Sequence, residues 1–170
     1  MADSPNPQLA LLRFSGDIGT KARATRSQFV QRLVANLRNA LLSEDIEPRI
    51  RDTHNRIFVE LPNAACAPLL TRVFGIQSIS LVERRPADSL DRLVDAGEEL
   101  FGNRVAGKRF AVRARRVGER SKIALLPLDI ERELGTRLLA GSAGVDLNNP
   151  EETVYIELIG DAAYFFPERL

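Results

Sequence analysis

The spacing of apolar positions changes several times along the chain, and each change marks an element. Leu9–Phe14 is a short apolar run, LALLRF, closed by Ser15-Gly16, and it reads as a buried strand. From Thr25 to Leu42 the apolar residues move to steps of four. Phe29, Leu33, Leu37 and Leu41, with Val30 and Val34 beside them, predict a helix with Thr25 as its N-cap. Glu47–Asp52 and Arg56–Leu61 alternate, the second with Ile57, Val59 and Leu61 on one face. Thr53-His54-Asn55 between them is short enough for a hairpin. Ala64–Phe74 reads as helical with Pro68 in its first turn, and Ile76–Val82 returns to alternation.

The order β-α-β-β-α-β is that of the split-βαβ, ferredoxin-like arrangement. Arg84-Arg85-Pro86 then reads as a linker. Asp88 precedes a helix carrying Leu90, Leu93, Val94, Ala96 and Leu100, and is taken as its cap. Lys108–Arg115 alternates as a strand, with Phe110, Val112 and Ala114 on one face and Arg109, Ala111, Arg113 and Arg115 on the other. Gly118–Lys122 is a polar loop, and Leu126–Leu139 a helix with Ile130, Leu134 and Leu138 on one side. A Gly/Ser turn and the loop Asn148-Asn149-Pro150 lead to a strand over Val154–Ile159 and a short returning strand over Ala163–Phe166. The expected fold class is α+β: a ferredoxin-like domain over residues 1–84, then an α/β domain over 85–170.

Composition narrows the picture. A chain of 170 residues holds one ordinary domain or two small ones. No stretch approaches the roughly 20 apolar residues needed to span a membrane. The start MADSPNPQ lacks the basic and apolar segments of a secretory signal, so the cytoplasm is the expected compartment. Cys66 and His54 are single residues of their types, which excludes an internal disulfide and a structural zinc site.

The net charge of +1 conceals segregated signs. Lys21, Arg23, Arg26, Arg32 and Arg38 meet no acid between Ile18 and Ser43. Arg104, Lys108, Arg109, Arg113, Arg115, Arg116, Arg120 and Lys122 meet only Glu119, whereas Asp129–Leu170 holds nine acids against three arginines. Such segregation points to a local polyanion site.

Several motifs then line up in order: GDIGTKARATRSQF at Gly16–Phe29, LVANL at Leu33–Leu37, VFGIQSIS at Val73–Ser80, RFAVRARR at Arg109–Arg116, LDIERELG at Leu128–Gly135, VDLNNPE at Val145–Glu151 and VYIEL at Val154–Leu158. The series resembles the N-terminal half of ThiI-type tRNA 4-thiouridine synthetases (tRNA sulfurtransferases), in which a ferredoxin-like domain precedes a THUMP domain. The resemblance implies that both domains bind tRNA, the THUMP domain at the acceptor-stem end. A further PP-loop domain, using ATP and magnesium, would adenylate a uridine so that sulfur replaces its oxygen. It also implies a setting in 4-thiouridine and thiamine biosynthesis, a cysteine desulfurase as an indirect partner, and a homodimer as one assembly. No S-G-G-x-D-S phosphate loop occurs, and Gly141-Ser142-Ala143-Gly144 lacks that pattern. The PP-loop chemistry is therefore expected on a partner domain or chain, with no catalytic residue and no metal site here; a fragment and a natural split protein stay open.

The expected RNA contacts are Lys108, Arg109, Arg113, Arg115, Arg116, Arg120 and Lys122, whose planar or point cations suit phosphate oxygens. Lys21, Arg23 and Arg26 join them at the start of the first long helix, where free N–H groups favour an anion. Lys21 matches the lysine of the family's G-E-I-x-L-K pattern. The bland alternative is a solvated sheet face balanced by the acidic tail. His54 reads as a turn residue and Cys66 as a small buried helix residue; Tyr155, Phe165 and Phe166 read as core, which favours shape and phosphate recognition over base stacking. The rivals are an adaptor for another tRNA-modifying enzyme, a ferredoxin-like regulatory or dimerisation module that binds no RNA, and a small phosphatase of the same fold.

Overall fold

The computed structural model describes residues 7–14, 23–53, 55–118 and 124–170, and the side chains of Arg23 and Ala24 are outside that description. Two compact units are present: Met1–Val82 with Arg169–Leu170, and Glu83–Glu168.

In the first unit the order is β1 (Gln8–Phe14), α1 (Arg23–Leu42), β2 (Arg49–Thr53), β3 (Arg56–Leu61), a 3-10 turn (Ala64–Cys66), α2 (Ala67–Thr71) and the first part of β4 (Ile76–Pro86). The strands lie in the order β2-β3-β1-β4, all antiparallel, as expected for the βαββαβ arrangement. Leu33, Leu37 and Leu41 of α1 bury one stripe against Ala10 and Leu12 of β1, Ile57 and Val59 of β3, Leu70 of α2 and Ile79 of β4. Each buried Leu or Ile side chain of this stripe contributes roughly 1.5–3 kcal/mol relative to exposure. The β2–β3 hairpin contains Asn55 in the left-handed region (φ 66), which Asn tolerates better than most residues. Pro68 occupies the first turn of α2, where its missing N–H costs nothing. Cys66 closes the 3-10 turn half-buried, its Sγ 3.7 Å from Asn63 Oδ1, instead of lying in the core.

The second unit holds the end of β4, then α3 (Leu90–Val105), β5 (Arg109–Val117), α4 (Pro127–Leu139), β6 (Gly144–Val145), β7 (Glu152–Ile159) and β8 (Ala162–Phe166). Its strands run β4-β8-β7-β5-β6. β5 and β7 are parallel and joined through α4, as a parallel pair requires a crossover. β7 and β8 form a hairpin across Gly160-Asp161, with Gly160 at φ 63 supplying the positive angle of a tight two-residue turn. Leu93, Val94 and Phe101 of α3 and Ile130, Leu134 and Leu138 of α4 cover Phe110, Val112, Val154, Ile156 and Phe165. The helices meet closely at Gly97, where an added Cβ would stand 2.6 Å from Leu134 Cδ2 and 3.2 Å from Phe165 Cε1.

Several boundaries differ from expectation, among them α2, which ends at Thr71 and leaves Phe74 in a turn. Arg84-Arg85-Pro86 is strand, because β4 continues past the first unit and pairs Glu83–Pro86 with β8. Helix α1 begins at Arg23, so Thr25 lies inside its first turn and does not cap it. Ser89 caps α3 by accepting the Arg92 N–H at 3.2 Å, while Asp88 instead receives the Arg92 guanidinium at 2.9 Å. Among the described residues, no helix is long and apolar enough to cross a membrane.

Candidate nucleic-acid interface

Strand β5 places its basic residues by simple alternation. Phe110 and Val112 enter the core beneath α3 and α4, so Arg109, Arg113 and Arg115 emerge on the opposite face. Their surroundings were not visible from composition. The parallel register sets Arg115 directly opposite Glu157 of β7. Arg115 Nε donates to Glu157 Oε1 at 3.0 Å with Nη2 on the same oxygen, and Glu157 is only 1% exposed. Arg109 reaches Asp146 Oδ2 at 3.3 Å, and its backbone N–H donates to Glu151 Oε2 at 2.8 Å. Arg104 Nε donates to Glu152 Oε1 at 2.8 Å, with Lys108 Nζ 3.7 Å from the other oxygen. The acids segregated in the sequence tail thus return to four of the cations in space.

Arg113 and Arg116 are held by backbone carbonyls. Arg113 Nη2 donates to the Leu147 carbonyl and Arg116 Nη2 to the Leu125 carbonyl. A carbonyl orients a guanidinium without cancelling its charge. Among the described residues no carboxylate stands within ion-pair reach of Arg113, which is exposed. Arg23 and Arg26 both fall in the first turn of α1, which carries no acid. Arg26 is partly exposed. Lys21, Arg120, Lys122 and His54 lie outside the described residues.

The loop after β6 is built by the VDLNNPE motif. Asp146 Oδ1 accepts the Asn148 and Asn149 N–H groups at 3.0 and 2.9 Å, and the Asp146 N–H donates to the Phe110 carbonyl at 2.9 Å. Those two backbone donors, Asn149 first, hold the Asp146 carboxyl below the usual carboxylate range, and Arg109 adds to the effect. The carboxylate therefore fixes the loop that offers the Leu147 carbonyl to Arg113.

Between this loop, α4 and β5 lies a cleft of about 390 Å³ lined chiefly by Phe110, Val112, Leu128, Leu139, Val145 and Leu147. Leu128 and Leu147 are more than half exposed. Arg132 and Glu131 also line it. Glu131 Oε1 accepts the Ala114 N–H at 2.8 Å, occupying a donor on the side of β5 that β6 leaves uncovered beyond Phe110. Arg132 has no ion pair among the described residues and was missed in the sequence because Glu131 and Glu133 flank it. An apolar cleft with a cation on its wall, and a second held at Leu147, suits a ligand with flat apolar faces and anionic edges. Among the described residues no group of three or more His, Cys, Asp or Glu side chains is arranged to hold a metal.

Fold and surface define a βαββαβ domain followed by an α/β domain with a cation-edged cleft. The comparisons make this specific. Residues 9–80 match the ThiI ferredoxin-like domain and residues 87–166 match the THUMP domain, so a ThiI ferredoxin-like domain is followed by a THUMP domain. It is 36% identical over 159 residues to a protein of Saccharolobus solfataricus, and 37% identical over 163 residues to one of Aeropyrum pernix, both named "Probable tRNA sulfurtransferase". Each match covers 93% of this chain but only 41% and 40% of the relative, so the chain spans about two fifths of their length. A solved protein from Pyrococcus horikoshii Ot3 superposes with a TM-score of 0.79 at 30% identity, covering 96% of this chain and 54% of that one. A 4-thiouridine synthetase solved with RNA and ATP shares the fold at TM-score 0.74 and 20% identity, covering 97% and 42%.

Proposed function

We propose that the chain is a tRNA-binding module that holds the acceptor end of tRNA, so that a PP-loop sulfurtransferase domain or chain can form 4-thiouridine. The observation that carries the reading is the pairing of a ThiI ferredoxin-like domain with a THUMP domain within residues 9–166 of this chain, together with its similarity to proteins named as probable tRNA sulfurtransferases. Its contribution to catalysis is positioning, which converts a bimolecular encounter into an intramolecular one. ATP and magnesium belong to the PP-loop partner, and a persulfide-supplying desulfurase acts through that partner.

Within this reading Arg113 is the leading phosphate contact of β5, because its guanidinium is oriented by a carbonyl and stays exposed. Arg109, Arg115 and Lys108 contribute less, because acids already stand beside them. Arg120 and Lys122, which follow β5 in the sequence, and Lys21, Arg23 and Arg26, at and before the start of α1, complete the proposed set of RNA contacts. The cytoplasm is the compartment where such a module meets tRNA.

The acid pairing on β5 favours one rival, a regulatory or dimerisation module whose cations are structural. Binding of bulk tRNA, intact and trimmed of its single-stranded 3′ end, across a salt series separates the two. The module reading expects appreciable affinity, a steep fall with salt and a loss on trimming. Intact tRNA binding no better than an unrelated duplex, or not at all, would overturn it.

A further inference from the structure

Among the described residues, one large aromatic side chain is almost fully exposed. Phe74 is 89% exposed, at the junction of α2 and β4. Its position is imposed by the backbone. The Ile76 N–H donates to the Val73 carbonyl at 3.3 Å, closing a four-residue turn with Phe74 and Gly75 at its centre. Gly75 has φ 98, a conformation that side chains rarely adopt, and a Cβ there would stand 2.9 Å from Phe29 Cζ and 3.6 Å from Leu33 Cδ1 of α1. Val73 is buried and anchors one side of the turn, and the α1 contacts anchor the other. The chain thus fixes a turn whose central side chain faces solvent, at the hydrophobic cost of exposing a phenyl ring.

Among the described residues, Arg72 and Arg26 have no acid partner. Arg72, two residues away, is exposed and makes no ion pair within that set, although Glu44 lines the same shallow pocket. Arg26 lies one helical turn before Phe29, on the α1 face that meets Gly75, and likewise has no ion pair among the described residues. Arg26 also sits in a helix first turn that carries no acid, where the helix dipole opposes a cation unless an anion is bound nearby. An exposed aromatic on a turn held against α1, with guanidinium groups on the same turn and the adjoining helix, can stack a base while its phosphates meet the cations.

We propose that Phe74, with Arg72 two residues before it and Arg26 on the turn of α1 before Phe29, is a stacking platform for an unpaired base of bound RNA. It would be a contact of the first unit, additional to the surface on β5. The inference rests on the tRNA-binding reading and adds to it a specific aromatic contact.

The test uses the chain with bulk tRNA. The sequence contains no tryptophan, so Phe74→Trp places a single indole fluorophore at the platform. Saturable quenching of that fluorophore by tRNA is expected, with affinity near that of the parent chain. Phe74→Ala and Phe74→Leu should each weaken binding by roughly 5- to 100-fold with the salt dependence unchanged, because stacking is lost and no phosphate contact is. Arg72→Ala should instead lower the salt dependence. The melting temperatures of these variants should match the parent, since Phe74 is almost fully exposed. Unquenched indole fluorescence in the Phe74→Trp variant, or unchanged tRNA affinity in Phe74→Leu, would overturn the platform and leave tRNA binding intact. A parent chain that does not bind tRNA would overturn both. A fall in sedimentation coefficient for Phe74→Ala, without an affinity change, would make Phe74 a contact between copies of the chain and overturn the proposal.

Discussion

Replacing Arg115 by alanine separates a structural cation from a binding one. Glu157 is 1% exposed and accepts two N–H groups from Arg115, whose side chain is 45% exposed. Removing one partner of a fully buried ion pair costs about 3–5 kcal/mol, because the other charge is left desolvated. Arg115 is half solvated, so water screens the pair and enters when the guanidinium is removed, and we take about 2 kcal/mol as the loss. If the chain melts as one unit, that lowers Tm by about 4–8 °C. Arg115→Ala combined with Glu157→Leu removes both charges and should recover most of the loss, since a leucine of similar size is tolerated where a desolvated carboxylate is not. Thermal melts followed by circular dichroism on the three variants check this. An unchanged Tm for Arg115→Ala, or no recovery in the double variant, would refute the reasoning and return Arg115 to the binding surface.

Other expectations follow from the same packing. Gly97→Val should destabilise by at least about 1–3 kcal/mol through overpacking against Leu134 and Phe165, read as a lowered urea midpoint. Ser89→Ala should cost about 1 kcal/mol by leaving the Arg92 N–H without its cap, also read in urea. Asp146 carries a depressed carboxyl, so its contribution is fully present above the ordinary carboxylate value and is lost as pH falls through its own lower value. Asp146→Asn should therefore make stability less dependent on pH in the acid range, measured as urea midpoints between neutral and acid buffers. An equally steep acid fall would show that the loop hydrogen bonds do not depend on that charge.

The long elements were legible because their signals are local. The steps of four in Phe29, Leu33, Leu37 and Leu41 describe one buried stripe, and the alternation in Arg109–Arg115 describes one buried strand face. What the sequence hid was long-range. Arg84–Pro86 looked like a linker because its partner strand begins only at Ala162, and pairing with Ala162–Phe165 makes it a strand. The RFAVRARR segment read as RNA contacts, or else as a solvated face balanced by the acidic tail, without saying which cation meets which acid; the β5–β7 register returns Glu157 to Arg115, and the loop ordered by Asp146 gives Arg113 a carbonyl. Phe74 lay inside a quoted motif without distinction, since an apolar residue beside a glycine carries no sign that the turn will expose it.

The central claim is that this chain binds tRNA through cations that the fold orients without neutralising, Arg113 first among them. The most direct measurement is tRNA affinity across a salt series for the parent, Arg113→Ala and Arg115→Ala. The account predicts a steep salt dependence in the parent and a slope smaller by about 0.7–0.9 with weaker binding in Arg113→Ala, as for one lost phosphate contact. It predicts nearly parental binding by folded Arg115→Ala. A parent that does not bind tRNA, or an Arg113→Ala variant with parental affinity and slope, would contradict it.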